Sequence, residues 1–265
     1  AILDPLVQKL DEMGVKRLMN NAVKKIKTYN GQATEIVMDN EDTYTADHII
    51  STCGLVETEE LLTKKKTPPK ENKMGNFSVI ETISVFKGKP TDFGWDETVI
   101  FYNDDQEFRY EKPKESMDST SGVICIPENY QDPHNQKVDE SRLRITNPAN
   151  FDKWDSLEEP AYIAEKARCE TVMLQKALEY LPKGQIQKKD FSDATLLKDT
   201  FTPRTIKKYT NHANGALYGS PVKSRSGSSQ IKNLYLAGTD QGYIGIVGAM
   251  LGGIAVANNR ILRPA

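Results

Sequence analysis

The first residues of the chain carry apolar side chains at helical spacing. Between Asp4 and Gly14 these are Leu6, Val7, Leu10 and Met13. Asp4 is placed to cap the free N–H groups of a helix, Pro5 suits its first turn, and Gly14 supplies a left-handed stop. The pattern predicts a short helix that Asp4 begins and Gly14 ends.

Beyond residue 15 the apolar residues recur at a spacing of about two. Asn30-Gly31 lies between two such runs and favours the tight turn that matches the twist of paired strands. The run from His48 to Thr52 reads as a buried strand that ends at Cys53-Gly54. The sequence therefore predicts a meander followed by a returning strand in the first 55 residues.

The middle of the chain alternates apolar and polar residues in several short runs. Phe77 to Phe86, Thr98 to Tyr102 and Gly122 to Ile126 predict strands of an antiparallel sheet with one solvated face. Residues 131–150 show little apolar periodicity and are expected to form a loop or a short strand. Lys64 to Lys73 is a polar stretch with Pro68-Pro69, interpreted as a solvated connection rather than a phosphate site.

A long helix is predicted from Ser156 to Leu181. Ser156 and Glu159 have the spacing of a capping box, and Pro182 with Gly184 ends the run. The helical stripe is expected to pack in a core and consists of Ile163, Ala167, Leu174, Leu178 and Leu181.

Glycine is concentrated at the carboxyl end, where nine of the 17 glycines lie from Gly215 onward. A short apolar strand, Leu234 to Ala237, leads into Gly238, and Gly242, Gly245 and Gly248 follow at intervals of three before a helix from Ile246 to Asn258. A strand, a glycine turn and a helix start present free N–H groups that favour an anion.

Three alternatives remain for this segment. The glycines could serve only close contact between helix and sheet. Ile244 to Ala257 could enter a membrane, although its 14 residues fall short of the roughly 20 that a span requires. Asp240 could accept hydrogen bonds from ligand hydroxyls or cap a helix.

Composition narrows the class of protein. The 265 residues carry a formal net charge of −2, which removes the electrostatic argument for nucleic-acid binding. The three cysteines and three histidines lack metal-ligand spacing, so no metal site is expected. Sparse thiols favour a cytoplasmic protein, with contact to a membrane surface as a further expectation at Lys64 to Lys66.

The segment Gly238 to Ala249 resembles the C-terminal flavin motif of the phytoene desaturase and carotenoid isomerase family, relatives of the amine oxidases. Thr202 to Thr205 and Gly215 to Gly219 resemble the preceding block, and Gly14 to Leu62 resembles an earlier one. The resemblance covers about half of the chain, at its two ends. It implies an α/β (α+β) fold: a partial Rossmann-like FAD-binding domain with an inserted substrate domain of antiparallel sheet plus helix.

The same resemblance implies FAD as cofactor and a role for each matching position. The backbone of Val23 would meet adenine, and Ser51, Thr52, Cys53 and Gly54 would line the adenosine side. Gly238, Thr239 and Asp240 would follow the pyrophosphate and ribityl chain. Ile246 and Val247, after Gly245, would offer N–H groups to the flavin N1/O2 edge. Either Thr239 or Asp240 would take the ribityl contact.

One expected part of such a protein is missing from the sequence. No G-x-G-x-x-G turn, which holds the FAD pyrophosphate, occurs in the 265 residues. The chain is therefore expected to be roughly the C-terminal half of a flavoprotein, completed by an N-terminal half or a second chain. The expected divisions are FAD-binding residues 1–70, a substrate domain at 71–204, and FAD-binding residues 205–265.

These features predict an FAD-dependent oxidoreductase of the desaturase or saturase type acting on a lipophilic, isoprenoid or polyene, substrate. The fragment alone is expected to be inactive. A flavin-dependent cis–trans isomerase and a non-catalytic lipid- or prenyl-binding protein are the alternatives. No catalytic residue is assigned, since Tyr218 and Arg204 are interpreted as packing and loop anchors.

Overall fold

The computed structural model describes residues 2–62, 71–130, 139–182 and 188–262.

A three-stranded meander follows the first helix. Strands β1 (Val23–Tyr29), β2 (Gln32–Met38) and β3 (Thr43–Tyr44) pair in antiparallel order. Asn30 and Gly31 both have positive φ, 49° and 75°, as the predicted two-residue turn requires. The hairpin prediction is confirmed.

Two short strands from opposite ends of the chain pair in parallel. Strand β4 (Ile49–Ser51) lies beside β10 (Leu234–Leu236), with Leu234 opposite Ile49 and Leu236 opposite Ser51. A small core joins this pair to the meander, and its buried members are Ile26, Ala33, Ile49 and Leu234. Both ends of the chain therefore contribute to one unit.

A five-stranded antiparallel sheet forms the middle of the fold, in the order β6-β7-β8-β5-β9. Its strands are β5 (Ser78–Lys87), β6 (Val99–Asn103), β7 (Ser121–Cys125), β8 (Glu140–Ala149) and β9 (Thr195–Phe201). The three strands predicted here are confirmed, and the mixed α/β class is as expected. The polar stretch at 64–73 lies largely outside the described residues.

Strand β8 corrects the expectation of a loop or short strand at 131–150. Its ten residues pair with β5 along their full length. Leu143 and Ile145 are fully buried, while Arg142 and Arg144 point outward to Glu128 and Glu81. Polar residues on the solvated face alternate with the apolar residues of β8. This alternation was not recognised as a strand from the sequence.

Helix α4 (Glu159–Tyr180) covers one face of the sheet. Helix α5 (Lys188–Ala194) precedes β9, and helix α6 (Pro203–Thr210) follows it. The predicted capping box is wrong, because Glu158 precedes the helix while Ser156 ends the short helix α3 (Phe151–Asp155). The predicted stripe is also partly wrong. Cys169, Met173 and Ala177 are buried, whereas Ile163 and Ala167 are exposed. The buried face is rotated because smaller residues pack against the sheet.

A polar cluster joins α4 to the loop before β7. The Arg168 guanidinium donates to both carboxylate oxygens of Glu165, at 2.6 and 2.8 Å, and the Ser116 hydroxyl donates to the same carboxylate. These hydrogen bonds, that from Arg168 first, lower the pKa of Glu165 to about 2. Burial raises the pKa of the adjacent Cys169 thiol to about 11. The Glu165 carboxylate is therefore held by hydrogen bonds, and the adjacent Cys169 thiol is unreactive.

Helix α1 (Leu3–Glu12) buries none of its residues. Asp4 does not cap it: Ile2 occupies the N-cap position without a side-chain bond, and Asp4 lies in the first turn. Gly14 adopts the predicted left-handed conformation with φ 72°. The helix forms as predicted, but its apolar residues Leu3, Leu6 and Met13 face solvent.

We expect Leu143→Ala to lower the free energy of unfolding by about 2–5 kcal/mol, because it leaves a cavity in the main core. Urea denaturation followed by tryptophan fluorescence measures this loss, since Trp95 and Trp154 lie in the same core. Leu197→Ala is the matched control on the exposed side of β9 and should change stability little. Equal losses in both variants would contradict this description of the core.

The Glu165 cluster predicts a pH-dependent stability. The folded-state pKa is depressed, so the contribution is present above the ordinary value near 4.5 and is lost as pH falls toward 2. Glu165→Gln should therefore destabilise the protein at neutral pH, and its deficit relative to the parent should shrink between pH 5 and 2. Thermal unfolding at several pH values measures this, with the exposed Glu107→Gln as control. A deficit independent of pH would refute the prediction.

Candidate functional site

The carboxyl ends of β4 and β10 lie at the same edge of their small sheet, because the two strands are parallel. The Ala237 amide donates to the Ser51 carbonyl at 2.9 Å just beyond the last strand pair. This brings residues 52–54 beside residues 238–240. Ligands of open α/β sheets bind outside such carboxyl ends, so this edge is the candidate site.

A buried carboxylate holds three segments together at this edge. Asp240 is only 4% exposed, and its Oδ1 accepts from the Ser220 amide at 2.8 Å while its Oδ2 accepts from the Leu55 amide at 2.5 Å. Leu55 is the first residue of helix α2 (Leu55–Leu62). Of the two alternatives for Asp240, its contacts are those of a helix cap, although for a helix distant in sequence.

Lys223 completes this arrangement. Its ammonium donates to the carbonyls of Tyr218 and Thr239 and lies 3.2 Å from Asp240 Oδ1. We define the Asp240 clamp as Asp240, Leu55, Ser220 and Lys223. Sequence reasoning missed Lys223 because it lies in a polar stretch without periodicity.

Glycines make room for the clamp. A Cβ on Gly219 would lie 2.3 Å from Asp240 Oδ1, and one on Gly54 would lie 2.2 Å from Glu57 Oε2. The Glu57 carboxylate itself accepts from the Ala213 amide at 2.8 Å. A side chain at Gly219 would therefore collide with the buried Asp240 carboxylate, whereas one at Gly54 would meet the end of the Glu57 side chain, outside the clamp.

The glycines of the carboxyl-terminal turn fall into two groups. A Cβ at Gly252 would meet Gln241 Oε1 at 2.4 Å, and one at Gly248 would meet the Tyr243 backbone at 2.8 Å, so these serve close packing. At Gly238, Gly245 and Gly253, by contrast, an added Cβ meets nothing within 4 Å, and at Gly242 it makes only an ordinary contact with Lys223 at 3.6 Å. Close packing alone explains the first group, while the second borders open space that a ligand can enter.

Helix α7 (Gly245–Val256) begins at this open space. Ile244 provides no side-chain cap, and no acidic residue lies in the first turn. Ile246 and Val247 are 66% and 70% exposed. The first amides of a helix lack partners within it and carry partial positive charge, so this end favours a negatively charged group.

The helical segment is longer than the sequence indicated. It continues as a π-helix (Ala257–Leu262), so that Gly245–Leu262 spans 18 residues of mean hydropathy 1.3, of which 11% is buried. By length and composition alone it meets the requirement for a membrane span, a test that core helices of soluble proteins also pass. Most apolar side chains of α7 are exposed, and within this helix only Gly252 and Val256 are buried by other described residues.

The remaining predicted site residues lie as follows. Thr52 and Cys53 are exposed after β4, and Ser51 is hydrogen-bonded to Thr58 at 2.7 Å. Thr239 is partly exposed in the turn before α7. Val23 begins β1 and pairs with Met38. The structure thus brings the 52–54 and 238–240 segments together with the start of α7, and leaves Val23 in the meander.

Aromatic rings form a ledge beside the clamp. We define the aromatic ledge as Phe77, Phe108, Tyr110 and Tyr218. The Phe77 and Tyr110 rings stack with centroids 4.1 Å apart and an interplanar angle of 18°, and Tyr218 is nearly parallel to both. Desolvation and a hydrogen bond with Tyr218 raise the pKa of Tyr110. Local sequence patterns do not indicate this cluster, since its members are far apart in the chain.

Comparison with known proteins identifies the family and the fold. The sequence model for the flavin containing amine oxidoreductase family matches residues 2–260. No curated protein matches the chain. An oxidoreductase from Methanosarcina mazei is similar in structure, with a TM-score of 0.52 and 13% identity over 96% of this chain and 52% of that one. A putrescine oxidase double mutant with redesigned cofactor binding is similar with a TM-score of 0.58 and 14% identity, over 97% and 52%. The chain spans about half the length of these proteins.

Gly219→Ala should destabilise the protein more than Gly31→Ala does. Both glycines have positive φ, 61° and 75°, so each substitution carries a backbone cost of about 1–2 kcal/mol. Only at Gly219 does the new Cβ also collide with Asp240, whereas at Gly31 it meets nothing within 4 Å. Thermal unfolding of the two variants measures the difference. Equal shifts in Tm would show that the clamp is not closely packed.

Proposed function

Because the chain belongs to the flavin-containing amine oxidoreductase family, we propose that it forms the C-terminal part of an FAD-dependent oxidoreductase of the desaturase or saturase type. The observation that carries this proposal is the uncapped start of α7 beside Gly238 and Gly245, at the carboxyl ends of two parallel strands. FAD, when bound, supplies the hydride chemistry, and the protein supplies binding and electrostatics.

The residues present fit the part of FAD that this half would hold. The open positions at Gly238 and Gly245 admit a ligand against the backbone, and the amides of Ile246 and Val247 suit the flavin N1/O2 edge, where negative charge collects on reduction. Residues 52–54 lie beside this turn and would face the adenosine side, with the Val23 backbone toward adenine.

Thr239 is the proposed side chain for the ribityl contact. Both oxygens of Asp240 are already engaged by Leu55, Ser220 and Lys223, so that carboxylate is committed to the protein. Thr239 is adjacent, partly exposed and able to donate or accept through its hydroxyl. Asp240 therefore has a structural role, and Thr239 is the residue proposed to contact the ligand.

A lipophilic substrate is the proposed class. Large apolar side chains surround the open turn and remain exposed: Tyr243, Ile244, Ile246 and Val247. Such a contiguous patch is typical of a binding surface. Oxidation or reduction of a hydrocarbon by flavin requires close approach of an apolar chain, which this surface favours.

The exposed apolar faces of α1 and α7 are the proposed contact surface for the rest of the FAD-binding domain. The five-stranded sheet and α4 enclose their own core, whereas α1 buries nothing and α7 buries only Gly252 and Val256. Relatives of known structure are about twice as long as this chain. A segment carrying the G-x-G-x-x-G turn, on the same or a second polypeptide, would cover these faces.

We expect Gly245→Asp to weaken FAD binding by at least tenfold, because a carboxylate would occupy the open position and repel the flavin edge. Gly245 has a positive φ of 77°, so the substitution also carries a backbone cost of about 1–2 kcal/mol, which the control below shares. Equilibrium dialysis and flavin absorbance measure FAD binding by the longest gene product that contains this chain.

Gly31→Asp is the matched control, with φ 75° against 77° and no atom within 4 Å of either added Cβ. It lies in the β1–β2 turn, away from the carboxyl end of β10, and should leave FAD binding unchanged. FAD affinity that Gly245→Asp does not alter would exclude this turn as the flavin site.

A further inference from the structure

We infer that Gln241 is a positioning residue for FAD, whose side-chain amide holds the Gly238 turn, residues 238–242, at a fixed distance from helix α7. This inference rests on the proposed function, because these two segments are the proposed contacts of the ribityl chain and of the flavin N1/O2 edge. Gln241 is only 1% exposed, so it acts through its neighbours rather than by touching the ligand.

Two hydrogen bonds join Gln241 to Gly238 in opposite directions. The backbone amide of Gln241 donates to the Gly238 carbonyl at 3.0 Å, and the backbone amide of Gly238 donates to Gln241 Oε1 at 3.2 Å. Both polar backbone groups of Gly238 are therefore held by one residue. Gly238 has φ 100° and ψ −146°, a conformation that only glycine adopts readily, and this pair of hydrogen bonds keeps it there.

Two glycines form a slot around the Gln241 side chain. A Cβ at Gly252 in α7 would lie 2.4 Å from Gln241 Oε1, and a Cβ at Gly227 would lie 3.0 Å from Gln241 Nε2. The same Cβ at Gly252 would lie 3.4 Å from the Gly238 amide nitrogen. The Gln241 amide thus lies between α7 and the loop that precedes β10, and its size determines how closely α7 approaches the Gly238 turn.

One atom of this side chain has no partner. Gln241 Nε2 is buried and makes no hydrogen bond with any described residue. An unsatisfied buried donor destabilises a protein, and a methionine of similar length would avoid it. Stability alone therefore does not explain a glutamine here, whereas the need for an acceptor opposite the Gly238 amide does.

The Asp240 clamp holds the opposite side of the turn. It joins the turn to α2, and the Lys223 ammonium donates to the Thr239 carbonyl. The hydrogen bonds of the clamp do not involve the Gln241 side chain. Thr239, the proposed ribityl contact, therefore lies between two anchors: the clamp fixes the turn to α2, and Gln241 fixes it to α7.

A shift of α7 relative to the Gly238 turn would change two measurable properties. FAD affinity would fall, because the ribityl and ring contacts would no longer fit at the same time. The flavin midpoint potential would become more negative, because the first amides of α7 would stabilise the charge at the N1/O2 edge less well.

Gln241→Met tests the inference in the longest gene product that contains the chain. The variant removes the acceptor for the Gly238 amide and keeps a side chain of similar length. We expect FAD affinity, measured by equilibrium dialysis, to fall about tenfold, which the loss of one buried hydrogen bond can account for. The flavin midpoint potential, measured by dye equilibration, should become more negative. Thermal unfolding of the FAD-free protein should change little, because the unpartnered Nε2 donor is removed as well.

Gly252→Ala reaches the same amide from α7. Its Cβ would collide with Gln241 Oε1, so we expect a similar loss of FAD affinity. Gln241→Ala removes the colliding atom, so adding Gly252→Ala to it should cost little further, and the two losses should not add. Circular dichroism confirms that each variant is folded. Additive losses would show that Gly252 acts independently of Gln241 and would overturn the inference.

Ser84→Ala is the matched control. Ser84 Oγ is also a buried atom without a partner among the described residues, but Ser84 lies in β5 of the five-stranded sheet. Its removal should leave both FAD affinity and the flavin midpoint potential unchanged.

The outcomes separate this inference from the proposed function. If the parent binds FAD and Gln241→Met equals it in affinity and midpoint potential, the inference is wrong and the proposed function stands. A fall in Tm with an unchanged midpoint potential would assign Gln241 a structural role alone and would also overturn the inference. Absence of FAD binding in the parent refutes the proposed function, and with it the inference that depends on it.

Discussion

The Asp240 carboxylate is the interaction on which the site depends. It caps helix α2 through the Leu55 amide, fixes the loop at Ser220 and pairs with Lys223, all while buried. A buried carboxylate without such partners would be strongly unfavourable, so the three segments must converge for the protein to fold. Their convergence sets the glycine turn before α7 at the carboxyl end of β10. The Asp240 carboxylate therefore holds the segments of the candidate site together.

The glycines near the clamp and the start of α7 differ in what surrounds them. Gly219 and Gly252 are required because side chains of Asp240 and Gln241 approach them closely. An added Cβ at Gly238 or Gly245 would meet nothing within 4 Å, and the first turn of α7 has no side-chain cap. FAD is the cofactor of the family to which the chain belongs, and the open positions at Gly238 and Gly245 are its proposed site.

Local patterns predicted much of the fold, and long-range contacts account for what they missed. The Asn30-Gly31 turn and most strands follow from spacing and turn chemistry. Strand β8 was missed because Arg142 and Arg144 interrupt its apolar residues on the solvated face. The cap at Ser156 was misassigned because α3, a short helix capped by Asn150, ends there. The site could be located by its glycines, but the roles of Asp240 and Lys223 depend on partners far away in sequence, which periodicity does not encode.

Hydrogen–deuterium exchange with and without FAD tests the central claim most directly, on the longest gene product that contains the chain. Slower exchange on FAD addition is expected at residues 245–248 and 52–55, with little change in the five-stranded sheet, whose amides are already paired. If FAD binds while the amides at the start of α7 exchange as fast as before, the glycine turn and helix start are not the flavin site, and the account is wrong.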